Sequence, residues 1–420
     1  MATTAKAQKA NKEAFTLPTA SEATLLPPDR RVDLSEIDQM CETIDLVIAD
    51  LRKRAIRPNP EKNPPRFTSS QVAELCGITR ATLNYLVRKG ELPQGEVHGS
   101  GASRTFSLAE TQEWIRAMPE FSPKPEGVSG AVLATTMLKG GATKTTSTMS
   151  IAQGLTLLGR KVLVIDLDPQ ASLTELCGVF IQAAVDENDT VLNYIQDPST
   201  TLQELVMPTY WANLDIIPSH AGLFAAEFQI PGMLMQDSSF RFFDLLRQGV
   251  EPLREHYDYI IFDTAPSLSY LNINALMAAD SLVMPVVPES LDTLSSLVFW
   301  TLLRDFASPI KRHYGFNKIY DFVSILPTKV DNQKGGTEIV RHWIQRAYGH
   351  WVSPYEIPYS AAMSNSSVVI STVFDMNKNE IATKTLNRVR EPLFNYVKWI
   401  DSVYLSKWTG KASADQGVAL

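Results

Sequence analysis

The residues best placed to do chemistry are Lys139-Gly140-Gly141-Ala142-Thr143-Lys144-Thr145-Thr146. An apolar run, Ala131–Met137, precedes them and a helical stretch, Lys144–Leu158, follows. Glycines let backbone N–H groups converge on phosphate oxygens, and a helix N-terminus adds positive potential at that spot. Lys144 is spaced to meet the β- and γ-phosphates of a nucleotide, and Thr145 to offer its hydroxyl to a magnesium ion. The general phosphate-loop pattern G-x-x-x-x-G-K-[ST] is broken twice, by Leu138 and Thr143 at its glycine positions. Two acidic segments follow at strand ends, Val162–Gln170 (VLVIDLDPQ) and Tyr259–Pro266 (YIIFDTAP). Carboxylates at the C-terminal end of a strand stand where open α/β sheets bind ligands.

These segments need a sheet to hold them. Short apolar runs at Lys161–Asp166, Tyr259–Asp263, Ser281–Val287 and Asp321–Leu326 alternate with helical stretches, among them Thr337–Tyr348. Such alternation predicts an α/β fold, a mostly parallel sheet with helices on both faces. Upstream, Leu34, Ile37, Met40, Cys41, Ile44, Val47, Ile48 and Leu51 recur at threes and fours and predict one long amphipathic helix over 33–57, with dimerisation as one way to cover its stripe. The expected order is a flexible arm (1–32), that helix, a proline-rich connection, a small domain (66–118), a linker (119–130), a large domain (131–405) and a flexible tail (406–420).

The small domain reads as a helix-turn-helix. In SSQVAELCGITRATLNYL, from Ser69, Ala73 allows close helix approach, Gly77 supplies the turn, and Leu83 and Leu86 fill the wedge between helices. Thr79 is placed to cap the second helix, which carries Arg80, Thr82, Asn84 and Arg88. Those side chains suit base edges and phosphates of a major groove, and Gly99–Phe106 suits a β-wing bearing Arg104. Charge agrees: Leu51–Arg104 holds ten Lys and Arg against four Glu, +6 within a chain of -7, leaving -13 elsewhere. A local excess acts on phosphate because opposite charge beyond about 8–10 Å is screened.

Composition limits the rest. With 44% hydrophobic residues the chain can bury a core. Cys41, Cys76 and Cys177 are too few and too scattered for a disulfide framework or a cysteine-bound cluster, which fits a reducing cytoplasm. The N-terminal stretch lacks the apolar segment of a signal peptide, and no run reaches membrane-spanning length.

The loop resembles the deviant Walker A box, K-G-G-x-x-K-[ST], of the ParA/MinD family, with Lys139 as the additional lysine. The acidic segments are similar to that family's D-x-D-P-Q and D-T-x-P boxes and occur in the family's order. Residues 69–86 resemble the winged helix-turn-helix of the longer ParA partition proteins. The resemblance implies a Mg-dependent ATP hydrolase of slow basal rate. Lys139 would cross a nucleotide-sandwich homodimer, Asp168 would orient or activate water, and Asp166 and Asp263 would support Mg2+ through its water shell. It further implies a nucleoid-associated partition protein: its ATP-bound dimer binds DNA nonspecifically, and a ParB-type centromere-binding partner stimulates hydrolysis. The ADP or nucleotide-free form would repress its own operon. Arg341, Arg346, Lys378, Lys384, Arg388 and Arg390 are the candidates for nonspecific DNA contact. Lys329 and Asp331 are placed to approach adenine. A MinD-like membrane protein is disfavoured by the polar C-terminal end, and an iron–sulfur carrier by Cys177 standing alone. A nucleotide-sensing repressor without a segregation role is the alternative.

Overall fold

The computed structural model describes residues 33–55, 62–99, 103–141, 143–179, 185–333, 335–360, 371–376 and 382–410. The expected arm, Ala142, Lys378 and residues 411–420 of the expected tail lie outside them. The chain divides into two compact units, Met1–Arg57 and Pro58–Leu420. In the first, Leu34–Ala55 is a single helix. It opens on Asp33, whose carboxylate accepts from the Ser35 hydroxyl and the Glu36 N–H. Leu34, Ile37, Met40 and Ile44 are all exposed along it.

The second unit begins with a small subdomain. Strand β1 (Phe67–Thr68) leads into helices Ser69–Leu75 and Arg80–Lys89, then β2 (Glu96–His98), β3 (Ser103–Phe106) and helix Leu108–Arg116. The three strands form an antiparallel sheet in the order β1-β3-β2. Each helix start is capped by a hydroxyl: Thr68, Thr79 and Ser107 accept from the N–H groups of Gln71, Thr82 and Glu110. Gly77 turns the chain between the first two helices at φ +66°, a conformation glycine adopts freely. Val72, Ala73, Leu83, Val87, Phe106 and Trp114 make the buried centre.

Residues 119–130 are fastened to the large sheet. Lys124 donates to the carbonyls of Arg254 and Tyr257 (2.7 and 3.1 Å), and Arg160 to that of Ser122 (2.7 Å). Beyond lie β4 (Ala131–Thr135), β5 (Val162–Asp166), β6 (Met207–Pro208), β7 (Leu214–Ile217), β8 (Tyr259–Asp263), β9 (Ser281–Val286) and β10 (Phe322–Pro327). They form one seven-stranded sheet in the order β10-β9-β4-β8-β5-β7-β6, parallel except for edge strand β6. Separate buried clusters cover its two faces, which is the α/β architecture the alternation predicts.

The C-terminal helix Thr383–Thr409 lies on helix Lys144–Thr156. At their crossing a Cβ on Gly154 would stand 2.8 Å from a Val397 methyl, so only glycine admits the approach. This helix corrects the boundary expected at 405. Residues 406–409 remain helical because Trp408 packs on the buried Tyr259 ring, centroid to centroid 5.4 Å.

Candidate functional site

The site stands at the C-terminal edge of the sheet's centre. Parallel register sets Thr135 of β4 beside Asp263 of β8, and Asp263 beside Asp166 of β5. Register partners on parallel strands face the same way, so one hydroxyl and two carboxyls share a row. All three residues are fully buried. Thr148 donates to Asp263 Oδ1 (2.9 Å) and the Thr145 hydroxyl also bonds that carboxylate. Asp166 Oδ2 accepts from the backbone N–H and hydroxyl of Thr174 (2.9 and 2.8 Å), and its Oδ1 from the Asp168 N–H (3.1 Å). Burial raises the pKa of both carboxyls, and the charge of Asp263 raises that of Asp166 further.

Above this row runs the loop from β4 to helix Lys144–Thr156. Gly141 has φ +75° and space for an added Cβ is open at Gly140 and Gly141, a cradle with its backbone uncovered. Thr143 holds φ +64° despite its branched side chain. Its hydroxyl donates to Thr328 (3.0 Å), a bond that helps hold the unfavourable backbone. Ala171 and Lys329 are left-handed too, and Lys329 donates to the Gly141 carbonyl (3.1 Å), tying the segment after β10 to the loop. Left-handed non-glycine residues thus occur in the loop, after the D-x-D-P-Q box and beside the loop, as strain at a working site does.

The two lysines differ. Lys144 is buried, and its pKa is lowered by desolvation against the pull of Asp263 and Asp168. A buried ammonium there is a seat for phosphate charge. Lys139 is partly exposed, and its ammonium lies 2.5 Å from Asp292 near the start of helix Ser290–Tyr314. Asp168 is only half-buried and accepts from the Gln170 N–H (3.0 Å), leaving its carboxylate near solvent.

The residues fit a magnesium ion bound together with phosphate. Asp263 Oδ2 and Thr135 Oγ1 are buried without a protein partner. Among the described residues no group of three or more His, Cys, Asp or Glu could hold a metal alone. A cation taking most of its ligands from phosphate and water suits that sparse set.

The family profile described as an AAA domain matches residues 130–309, the stretch that carries the loop and both acidic strand ends. Protein SopA of Escherichia coli K12 is 26% identical over 365 residues, 84% of this chain and 92% of SopA. The sporulation initiation inhibitor protein Soj of Bacillus subtilis is 35% identical over 171 residues, 40% of this chain and 64% of Soj. The chain is similar to partition ATPases of the ParA/MinD type over the loop and both acidic strand ends. A solved "Partition Protein" shares the fold of this chain, with a TM-score of 0.62 at 19% identity over 87% of this chain and 98% of that one.

Other expected contact residues are dispersed. Arg80, Asn84 and Arg88 stand exposed on helix Arg80–Lys89, and Thr82 puts its hydroxyl 2.8 Å from that of the capping Thr79. Arg104 donates to the Gln94 carbonyl, fixing the hairpin to the turn before it. Arg346, Lys384 and Arg388 are exposed, whereas Arg341 pairs with Glu356. Arg390 is a correction to the candidate DNA set: its guanidinium is spent on the carbonyls of Val373 and Met376 (2.7 and 2.8 Å), bracing the segment ahead of its helix. Sequence reasoning missed Thr148, Thr174 and Asp292, which hold Asp263, Asp166 and Lys139. Thr148 lies one helical turn after Lys144 and was open to discovery; Asp292, 153 positions from Lys139, had no local signal. It also passed over Tyr85, 66% exposed between Asn84 and Arg88.

Proposed function

We propose that this chain is a DNA-partition ATPase whose nucleotide state switches between two ways of holding DNA. Two copies close around ATP and Mg2+, and the closed dimer holds DNA without sequence preference. A ParB-type centromere-binding protein speeds hydrolysis and so releases it. With ADP or no nucleotide the small subdomain, acting as a winged helix-turn-helix, represses the chain's own operon. The observation that carries the reading is the two-lysine loop set directly over the buried Asp166–Asp263 pair. The likeness to SopA supports it further, since 84% of the chain is more than the large domain alone contains.

The residues divide the work. Backbone N–H groups of residues 140–145 and the helix N-terminus bind the phosphates, while Lys144 neutralises charge on the β- and γ-oxygens. The Thr145 hydroxyl would ligate a magnesium ion, and Asp166 and Asp263 would hold its water shell. When bound, the ion draws charge from the phosphate oxygens. Asp168, with its carboxylate near solvent, orients the attacking water and takes its proton. Lys139 leaves Asp292 and meets the phosphates held by the other copy, so an isolated subunit turns over slowly.

The test is binding to unrelated duplex DNA with no nucleotide, ADP, ATP or a slowly hydrolysed ATP analogue. Binding that appears with ATP and vanishes in Lys139→Ala is expected. Binding indifferent to nucleotide would contradict a segregation ATPase and leave a nucleotide-sensing repressor. Among the described residues no helix is long and apolar enough to cross a membrane. The proposed activity acts on nucleoid DNA in the cytoplasm, a reading supported by the likeness to SopA and Soj.

A further inference from the structure

Lys62 precedes β1 by five residues, yet its side chain is only 16% exposed. Its ammonium donates to the Leu176 carbonyl (2.7 Å), stands 3.4 Å from the buried Asp375 carboxylate and lies 4.4 Å above the centre of the Tyr210 ring. The Tyr210 hydroxyl donates to Asp375. The Gln153 amide donates to that hydroxyl (3.0 Å) and to Asp375 (3.1 Å), and its carbonyl oxygen accepts from Thr372 (2.5 Å).

Two of these partners lead to the nucleotide site. Gln153 sits in the helix that begins at Lys144. Leu176 ends helix Ser172–Leu176, whose Thr174 grips Asp166. The same strip of chain, Tyr210–Asn213, is also held from both sides. Trp211 donates to Thr156 at the end of the loop helix (2.7 Å). Gln112, in the last helix of the small subdomain, donates to the Ala212 carbonyl (2.8 Å) and accepts from Asn213 (2.5 Å).

A buried ammonium cannot exchange a lost partner for water, so displacement of either helix strips a bond from a charge that must keep its bonds. Such a network passes a shift on rather than absorbing it. We propose that the Lys62–Asp375–Tyr210–Gln153 network transmits occupancy of the phosphate loop to the small subdomain, with Lys62 as the positioning residue between them. This rests on the reading that the loop binds a nucleotide.

Hydrogen exchange of the full chain, with and without ADP and Mg2+, tests it, because a merely structural lysine would not change a nucleotide-induced difference. In the wild type, nucleotide should slow exchange in residues 139–148 and alter it at least about threefold in 62–68 and 108–116. The charge-balanced pair Lys62→Met with Asp375→Asn should keep the loop response and lose that of the small subdomain. Tyr210→Phe, which removes one hydroxyl and keeps the ring, guards against a misfolded double variant and should weaken the distant response. A distant response of equal size in wild type and both variants, or none in the wild type while the loop is protected, would overturn the proposal alone. No protection of the loop in the wild type would overturn the nucleotide site, and the coupling with it.

Discussion

On the proposed reading, the phosphate loop and the small subdomain handle the same chemical group, phosphate, on opposite terms. Around the loop, Lys144, Asp166 and Asp263 are buried, and each of the two carboxylates is oriented by a threonine on another element. On helix Arg80–Lys89 the side chains proposed for DNA stand in solvent, and burial there is left to Leu83 and Val87. The first arrangement fixes a few atoms in space before the ligand arrives, as catalysis requires. The second leaves long side chains free to settle on a groove, which suits binding. Loss of a residue should therefore spread through neighbours at the loop and stay local on the helix.

The largest effect should separate the two regions. Lys144→Ala should cut phosphate release at least about a hundredfold, as removal of a fixed charge from a transition-state site does, while operator binding without nucleotide changes less than about twofold. Equal loss of both would break the separation. Next, Arg88→Ala should weaken operator binding by about 1–3 kcal/mol in a titration against labelled duplex, leaving ATP hydrolysis in the absence of DNA unchanged.

A smaller effect tests the cost of burying two carboxyls. Asp263→Asn should abolish hydrolysis yet raise nucleotide-free stability by about 1–2 kcal/mol in thermal unfolding. Both carboxyls have raised pKa values, so their contribution to stability is full below about pH 4 and is lost as pH rises through the raised values. The advantage of the variant should then grow from about pH 5 to about pH 8. An advantage that shrinks over this range would show the pair to be compensated in the folded state.

The smallest concerns Thr143. Thr143→Ala removes the bond to Thr328 and keeps the left-handed backbone, so it should cost about 1 kcal/mol. Thr143→Gly removes bond and strain together and should fall within about 0.5 kcal/mol of the wild type. Denaturant midpoints of the two variants give the order directly.

Much of this was legible in the sequence because central parallel strands read as unbroken apolar runs. Tyr259–Asp263 and Thr337–Tyr348 take the bounds their patterns predict. Strand β7 was not legible: its four residues include Asp215, whose carboxylate is satisfied by the Tyr257 hydroxyl (2.8 Å), a partner 42 positions away. The same limit hid Asp292 and placed Arg390 among surface cations, since its two carbonyl partners come from a neighbouring segment rather than from its own helix face. Loop chemistry is local in the chain and shows in spacing. The groups that hold it in place are distant and show only in the fold.

The central claim is that Lys139 works in the other subunit's site. Mixing inactive Lys139→Ala chains with inactive Lys144→Ala chains tests it, with phosphate release as the readout. In a twofold dimer each mixed pair then has one complete site, with Lys144 from one chain and Lys139 from its partner. Random mixing should restore about a quarter of the wild-type rate. No recovery, with exchange of subunits verified by mass, would place Lys139 in its own subunit's site and contradict the account.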